Sequence, residues 1–201
     1  MMNKAGLTAV SLGTVFNLFL FFAKFYVGIS TNSLSIYCDA INNLGDTFSC
    51  LIAVLGFFLA RKVSELKSQK TQSLCTFVIS LIIAATGAYF VYNGLNRLLY
   101  PLRIAYSVEY SYIIIATIFA KVLMAIMYIC FNKKAGSPVL KAMVLDSFLD
   151  CATTTFALMG LFLITKINFA ADGVFAIIIG TAVTVSAVKN IIEQGRYLIN
   201  N

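Results

Sequence analysis

This sequence predicts an all-α integral membrane fold of six transmembrane helices in one domain. Three observations carry that expectation. Of the 201 residues, 60% are apolar and 11% charged, and mean hydropathy is +0.90. The apolar residues arrive in six long blocks, and a run of about 20 spans a bilayer as a helix. The polar stretches between the blocks are short, so residues 1–201 are expected to form a single membrane domain with no soluble one.

The first block covers about 8–29 and carries Asn17 and Lys24, seven residues apart and so on roughly one helix face. It is too long for a signal-peptide core and lacks a small-residue cleavage site, so it reads as a retained helix. Gly28-Ile-Ser-Thr-Asn32 is expected to turn. The second block, 33–60, ends before Arg61-Lys62, and the polar segment from Val63 to Gln72 reads as a linker. The third, 73–99, is closed by Arg97, Pro101 and Arg103, with the proline marking its end. The fourth, 108–131, holds a lone Lys121, and Asn132 to Pro138 has the composition of a loop. The fifth covers 139–164, Lys166 to Asp172 makes a turn, and the sixth covers 173–192 before a short tail.

Six spans leave both termini on one side. That side then carries ten basic residues, the other carries Arg97, Arg103 and Lys166, and Lys24 and Lys121 lie within the membrane. By the positive-inside rule both termini are cytoplasmic, in a multi-pass protein expected at the cell membrane. The same rule accounts for the net charge of +7, and nucleic-acid binding is not expected. The five cysteines lie in or beside apolar blocks without disulfide or zinc-knuckle spacing, so packed, reduced thiols are expected. The absence of histidine removes the commonest transition-metal ligand and the usual catalytic base.

Two pairs of polar residues interrupt this pattern. Asn42 and Asp46 lie on the second helix, Asp146 and Asp150 on the fifth. Each pair is spaced i, i+4, so both side chains share one face, a turn apart. Carboxylates are costly in hydrocarbon and mark a functional site by default. Like charges brought together there need protons or a divalent cation to balance them, which is the chemistry of a metal/proton exchanger. Three carboxylates and an amide form an all-oxygen donor set that suits Mn²⁺ and other hard cations better than Zn²⁺.

Cys50 and Cys151 adjoin the pairs, but packed thiols are the simpler reading. Lys24 and Lys121 read as structural or snorkelling residues. Asp39 suits either a cation guide or a helix-start acid, and Asp172 a cap or first-turn acid of the last helix. A structural hydrogen-bond network, or ion pairs from the acids to Lys24 or Lys121, is the plainer alternative for the pairs themselves. A shift of 104 positions lays Asn42 on Asp146, Asp46 on Asp150 and Gly56 on Gly160, an internal echo of the kind transporters carry.

At these residues the sequence resembles the cation diffusion facilitator family of divalent-metal exporters. Asn17-Leu-Phe-Leu-Phe-Phe-Ala-Lys24 resembles the family's first helix. Ser33-Leu-Ser-Ile-Tyr-Cys-Asp39-Ala-Ile-Asn42-Asn-Leu-Gly-Asp46 is similar to its second-helix signature, and Ser137-Pro-Val-Leu-Lys-Ala with Asp146-Ser-Phe-Leu-Asp150 to its fifth. The resemblance implies that Asn42, Asp46, Asp146 and Asp150 are the metal ligands. The Asn-x-x-x-Asp and Asp-x-x-x-Asp form is similar to the manganese-exporting branch.

It further implies efflux of divalent cations (Mn²⁺ first, then Zn²⁺, Fe²⁺, Co²⁺ or Cd²⁺) from the cytoplasm against protons, by alternating access in a homodimer. The cation is then substrate, and neither cofactor nor enzymatic activity is implied. Two features depart from the family. Lys67-Ser-Gln-Lys-Thr-Gln72 replaces a histidine-containing loop, and the chain ends at Asn201, where the family's cytoplasmic domain is expected to begin. Two other readings fit in part. One is a non-transporting membrane subunit keeping the same fold. The other is a metal-dependent phosphatidyltransferase, whose denser acid array and phosphate-binding arginine the sequence lacks.

Overall fold

The computed structural model describes residues 4–59, 65–100, 102–105, 107–135, 138–163 and 170–200. Among them are six α-helices and no strand: α1 Lys4–Thr31, α2 Leu34–Leu59, α3 Glu65–Leu99, α4 Val108–Ala135, α5 Pro138–Leu163 and α6 Ala170–Asn200. Five, all but α2, have described stretches long and apolar enough to cross a membrane. In α2 the polar residues Asp39, Asn42, Asn43 and Asp46 crowd the first half. It is still 26 residues long.

Several helices outrun their apolar blocks. The segment expected as a linker up to Gln72 is helical from Glu65, and the expected tail after Ile192 continues α6 to Asn200. The loop expected from Asn132 is helical as far as Ala135. Glu, Lys and Gln are good helix formers, and backbone hydrogen bonding does not stop where hydrophobicity does. Pro138 opens α5 rather than closing a loop, because its missing N–H is harmless in a first turn. Arg61, Lys62, Ser137 and Lys166 fall outside the described residues.

The turn expected from Gly28 begins later, at Asn32. Ser33 N donates to Gly28 O at 3.1 Å and Asn32 N to Ile29 O at 3.2 Å. Asn32 itself has φ 57°. That is a helix C-cap closed by a left-handed residue, a conformation asparagine tolerates. Gly28 stays within α1, where a Cβ would lie 3.0 Å from the Tyr37 backbone, so it allows close approach of α1 and α2.

α3 packs most extensively on α6, α1 on α2, and α4 on α5. The α3–α6 seam is built on Gly87 and Gly94 facing Gly180 and Gly173. A Cβ on Gly94 would lie 2.9 Å from Gly173 O, and one on Gly180 would lie 3.0 Å from Gly87 O. Small residues let helix backbones approach where no hydrophobic force separates lipid from protein.

The surface is inverted relative to a water-soluble bundle: Phe19, Phe22, Ile82, Phe119 and Phe148 face outward, while Lys24, Asp39, Lys121 and Asp172 are fully enclosed. Two apolar clusters divide the interior. One, with Leu20, Met124, Tyr128 and Leu140, lies toward the end bearing the termini. The other, with Ile36, Phe90, Ile114 and Leu161, lies toward the opposite end. The polar site sits between them.

Candidate metal site

Four helices supply the site. α2 contributes Asn42 and Asp46, α5 Asp146 and Asp150, α1 Asn17, and α4 Lys121. The i, i+4 spacing places each polar pair on the helix face turned to the other, and the pairs meet across the α2–α5 contact. One carboxylate oxygen each from Asp46, Asp146 and Asp150 lies within 4.8 Å of the others. Asn42 joins them, its Nδ2 donating to Asp150 Oδ1 at 2.7 Å. The four residues singled out in the sequence are thus brought together.

A cavity of about 360 Å³ reaches this cluster. Asn42, Asp46 and Asp146 line it, with Asn17, Cys50, Tyr128, Met143 and Ser147, and it runs toward the terminus-bearing half as far as Ala53 and Asn190. Asp146 faces it exposed, Asp46 is half-buried, and Asp150 is buried behind them. The carboxylates thus grade from the cavity mouth to the interior.

Lys121 was expected to be structural or to snorkel; it does not snorkel. Its side chain is 1% exposed, and its ammonium contacts Asp150 Oδ2, with Asp46 Oδ2 at 3.4 Å. It also donates to Asn17 Oδ1 at 2.8 Å. The ion pairs weighed as an alternative for the acids therefore exist, to Lys121. Asn17 in turn directs its Nδ2 toward Cys50 Sγ at 3.9 Å. Cys50 lines the cavity yet packs in the apolar cluster, whereas the Cys151 thiol turns away to Ile118 O. The sequence offers Lys121 as a partner of the acids only in that alternative reading, and does not connect Asn17 to them. The available signal was that a lone intramembrane lysine needs an acid partner.

A second enclosed ion pair lies beyond the cluster. Lys24 Nζ is 2.9 Å from Asp39 Oδ2, both essentially unexposed. Lys24 also donates to Thr154 Oγ1 at 2.7 Å, and Thr153 Oγ1 to Asp39 Oδ1 at 3.2 Å. Lys24 therefore does not snorkel, and Asp39 is fully buried and lies beyond the first turn of α2 rather than at its start.

At the end opposite the termini, Asp172 sits in the first turn of α6, as expected, but its carboxylate caps a different helix. It accepts from Leu34 N at 2.8 Å and Ser35 N at 3.2 Å, the opening N–H groups of α2. The Ser33 and Ser35 hydroxyls each donate to it at 2.6 Å, and Arg97 at 2.8 Å. Arg97 also binds the Asn32 carbonyl, so one cluster ties α2, α3 and α6 to the α1–α2 turn.

An all-helical bundle with lipid-type surfaces and carboxylates converging in its interior defines a multi-pass membrane protein. The description "Cation efflux transmembrane domain" matches residues 10–199, and the chain belongs to that family. Over 181 residues it is 22% identical to "Metal tolerance protein 11" of Arabidopsis thaliana, an alignment covering 88% of this chain. The chain spans about half the length (46%) of that relative.

Proposed function

We propose that this protein is a secondary transporter that carries divalent metal cations out of the cytoplasm in exchange for protons, with Mn²⁺ the favoured ion. One observation carries the reading: three carboxylates from two helices converge within 4.8 Å at the end of a polar cavity inside a lipid-facing bundle. Membership of a cation efflux family and likeness to a metal tolerance protein support the class of cargo.

In this reading Asp46, Asp146 and Asp150 are the charged ligands, and rotation of the Asn42 amide presents its Oδ1 as the fourth. All four donors are hard oxygens, which favours Mn²⁺ over Zn²⁺. The cavity, running toward the terminus-bearing half, is the cytoplasmic entry route, consistent with both termini being cytoplasmic. Alternating access then requires the end sealed by Asp172 and Arg97 to open in turn. We further propose that residues 1–201 form one six-helix domain and that two copies assemble as a homodimer.

Flux in liposomes tests the function. With Mn²⁺ or Zn²⁺ outside and an imposed proton gradient, wild-type uptake should exceed that of Asp46→Ala and Asp150→Ala at least tenfold, on the order expected for a lost ligand. Asn42→His, in the same assay, should move preference toward Zn²⁺. Wild-type flux equal to the alanine variants would refute transport and favour a non-transporting subunit.

A further inference from the structure

Lys121 stands at the centre of the site, in contact with acids from two helices. Its ammonium sits between Asp46 Oδ2, at 3.4 Å, and Asp150 Oδ2, which it contacts. These are two of the three carboxylates that converge, and they come from different helices. The ammonium therefore stands where cargo would bridge α2 and α5. A divalent ion takes carboxylate oxygens at about 2.0–2.6 Å. An ammonium donating to the same oxygens cannot stay beside it, because it competes for their lone pairs and repels the ion.

We propose that Lys121 is a tethered counter-cation: it fills the carboxylate site between transport events, is displaced when the divalent ion binds, and returns to help expel it. This rests on the transport reading above. Two features of the site fit exchange better than a fixed strut. The ammonium already touches a neutral acceptor, Asn17 Oδ1 at 2.8 Å on α1, which can hold it after it leaves Asp150. Asn17 also lines the cavity, so the displaced group moves within space the site already has.

Charge matching supplies the second argument. With cargo bound, three carboxylates and one ammonium carry two net negative charges, which one divalent ion balances. Without the lysine the same site would carry three and would hold its ion too tightly to release it quickly. Lys121 is thus a positioning and affinity-setting residue rather than a ligand. A purely structural lysine makes the opposite forecast, since its removal would loosen the site and weaken binding.

The test uses the full chain, with Mn²⁺ alone as probe, in equilibrium binding and in liposome flux. Lys121→Leu removes the charge without offering an oxygen donor. It should bind Mn²⁺ roughly tenfold or more tightly than wild type. Its flux should saturate at correspondingly lower Mn²⁺ with a reduced maximal rate, and Lys121→Arg should keep both near wild type. A second measurement needs no variant: a structure of the wild-type protein with Mn²⁺ bound should place Lys121 Nζ beyond hydrogen-bond reach of Asp150.

Binding by folded Lys121→Leu that matches wild type or is weaker would overturn the proposal, as would a Mn²⁺-bound wild type with Lys121 still on Asp150. Should Lys121→Leu fail to fold, the Mn²⁺-bound structure decides alone. Wild-type protein that binds neither Mn²⁺ nor Zn²⁺, with flux no greater than Asp46→Ala, overturns the transport reading itself. Wild-type flux beside an unchanged Lys121→Leu affinity overturns only the role of the lysine.

Discussion

Removing the Asp172 carboxylate should be among the most damaging single changes away from the cation site. Five donors converge on this fully buried side chain: the Ser33 and Ser35 hydroxyls, the Leu34 and Ser35 N–H groups, and Arg97. Asp172→Ala leaves the Arg97 guanidinium, 8% exposed, without its acid. Breaking a buried ion pair from one side costs about 3–5 kcal/mol. Loss of the cap on α2 alone is worth about 1 kcal/mol. The two losses share one carboxylate and do not simply add, and Arg97 keeps its contacts with Asn32. A net loss of about 4 kcal/mol is expected. For a chain of this size that lowers the melting temperature by about 10 °C.

Asp172→Asn keeps the shape and one acceptor oxygen, and should lose about half as much. Arg97→Met combined with Asp172→Ala should be less harmful than Asp172→Ala alone, because no charge is then stranded. Thermal unfolding in detergent, followed by circular dichroism, reads all three, with SDS titration as an isothermal check. Asp172→Ala melting within about 2 °C of wild type would refute the reasoning, because the cluster would then be no more than a set of solvated contacts.

Two glycines should respond in opposite directions to the same substitution. At Gly94 an added Cβ would meet Ile177 Cγ1 at 2.6 Å and Gly173 O at 2.9 Å, so Gly94→Ala should destabilise by about 1–3 kcal/mol. At Gly195 the nearest atom is Phe77 Cε2 at 3.5 Å, ordinary contact, so Gly195→Ala should stabilise by about 0.5–1 kcal/mol. Melting temperatures of the two variants decide it. Cargo should also stabilise the fold: at Mn²⁺ a hundred times its dissociation constant, wild type should gain about 2.7 kcal/mol, reversed by chelator. Asp46→Ala, melted in the same series, should gain almost nothing, and an equal shift in both proteins would place the ion elsewhere.

Much of the architecture is legible along single segments of the chain. Long apolar blocks dictate helices because hydrocarbon forces backbone groups to bond within their own segment. The i, i+4 spacing of Asn42 with Asp46, and of Asp146 with Asp150, fixes each pair to one face whatever the helix packs against. Those are local properties, read along a single segment. The ends of α3, α4 and α6 are not legible from hydropathy, because polar helix formers prolong a helix beyond its apolar stretch.

Which buried polar group meets which depends on the assembled bundle. Lys121 reaches Asp46 across 75 positions, Lys24 meets Thr154 across 130, and Asp172 caps a helix that begins 138 residues earlier. No period or propensity encodes those pairings. They depend on how helices are ordered around the bundle and on each one's rotation. Both are set by packing such as the glycine seam of α3 and α6, together with the need to give every enclosed charge a partner.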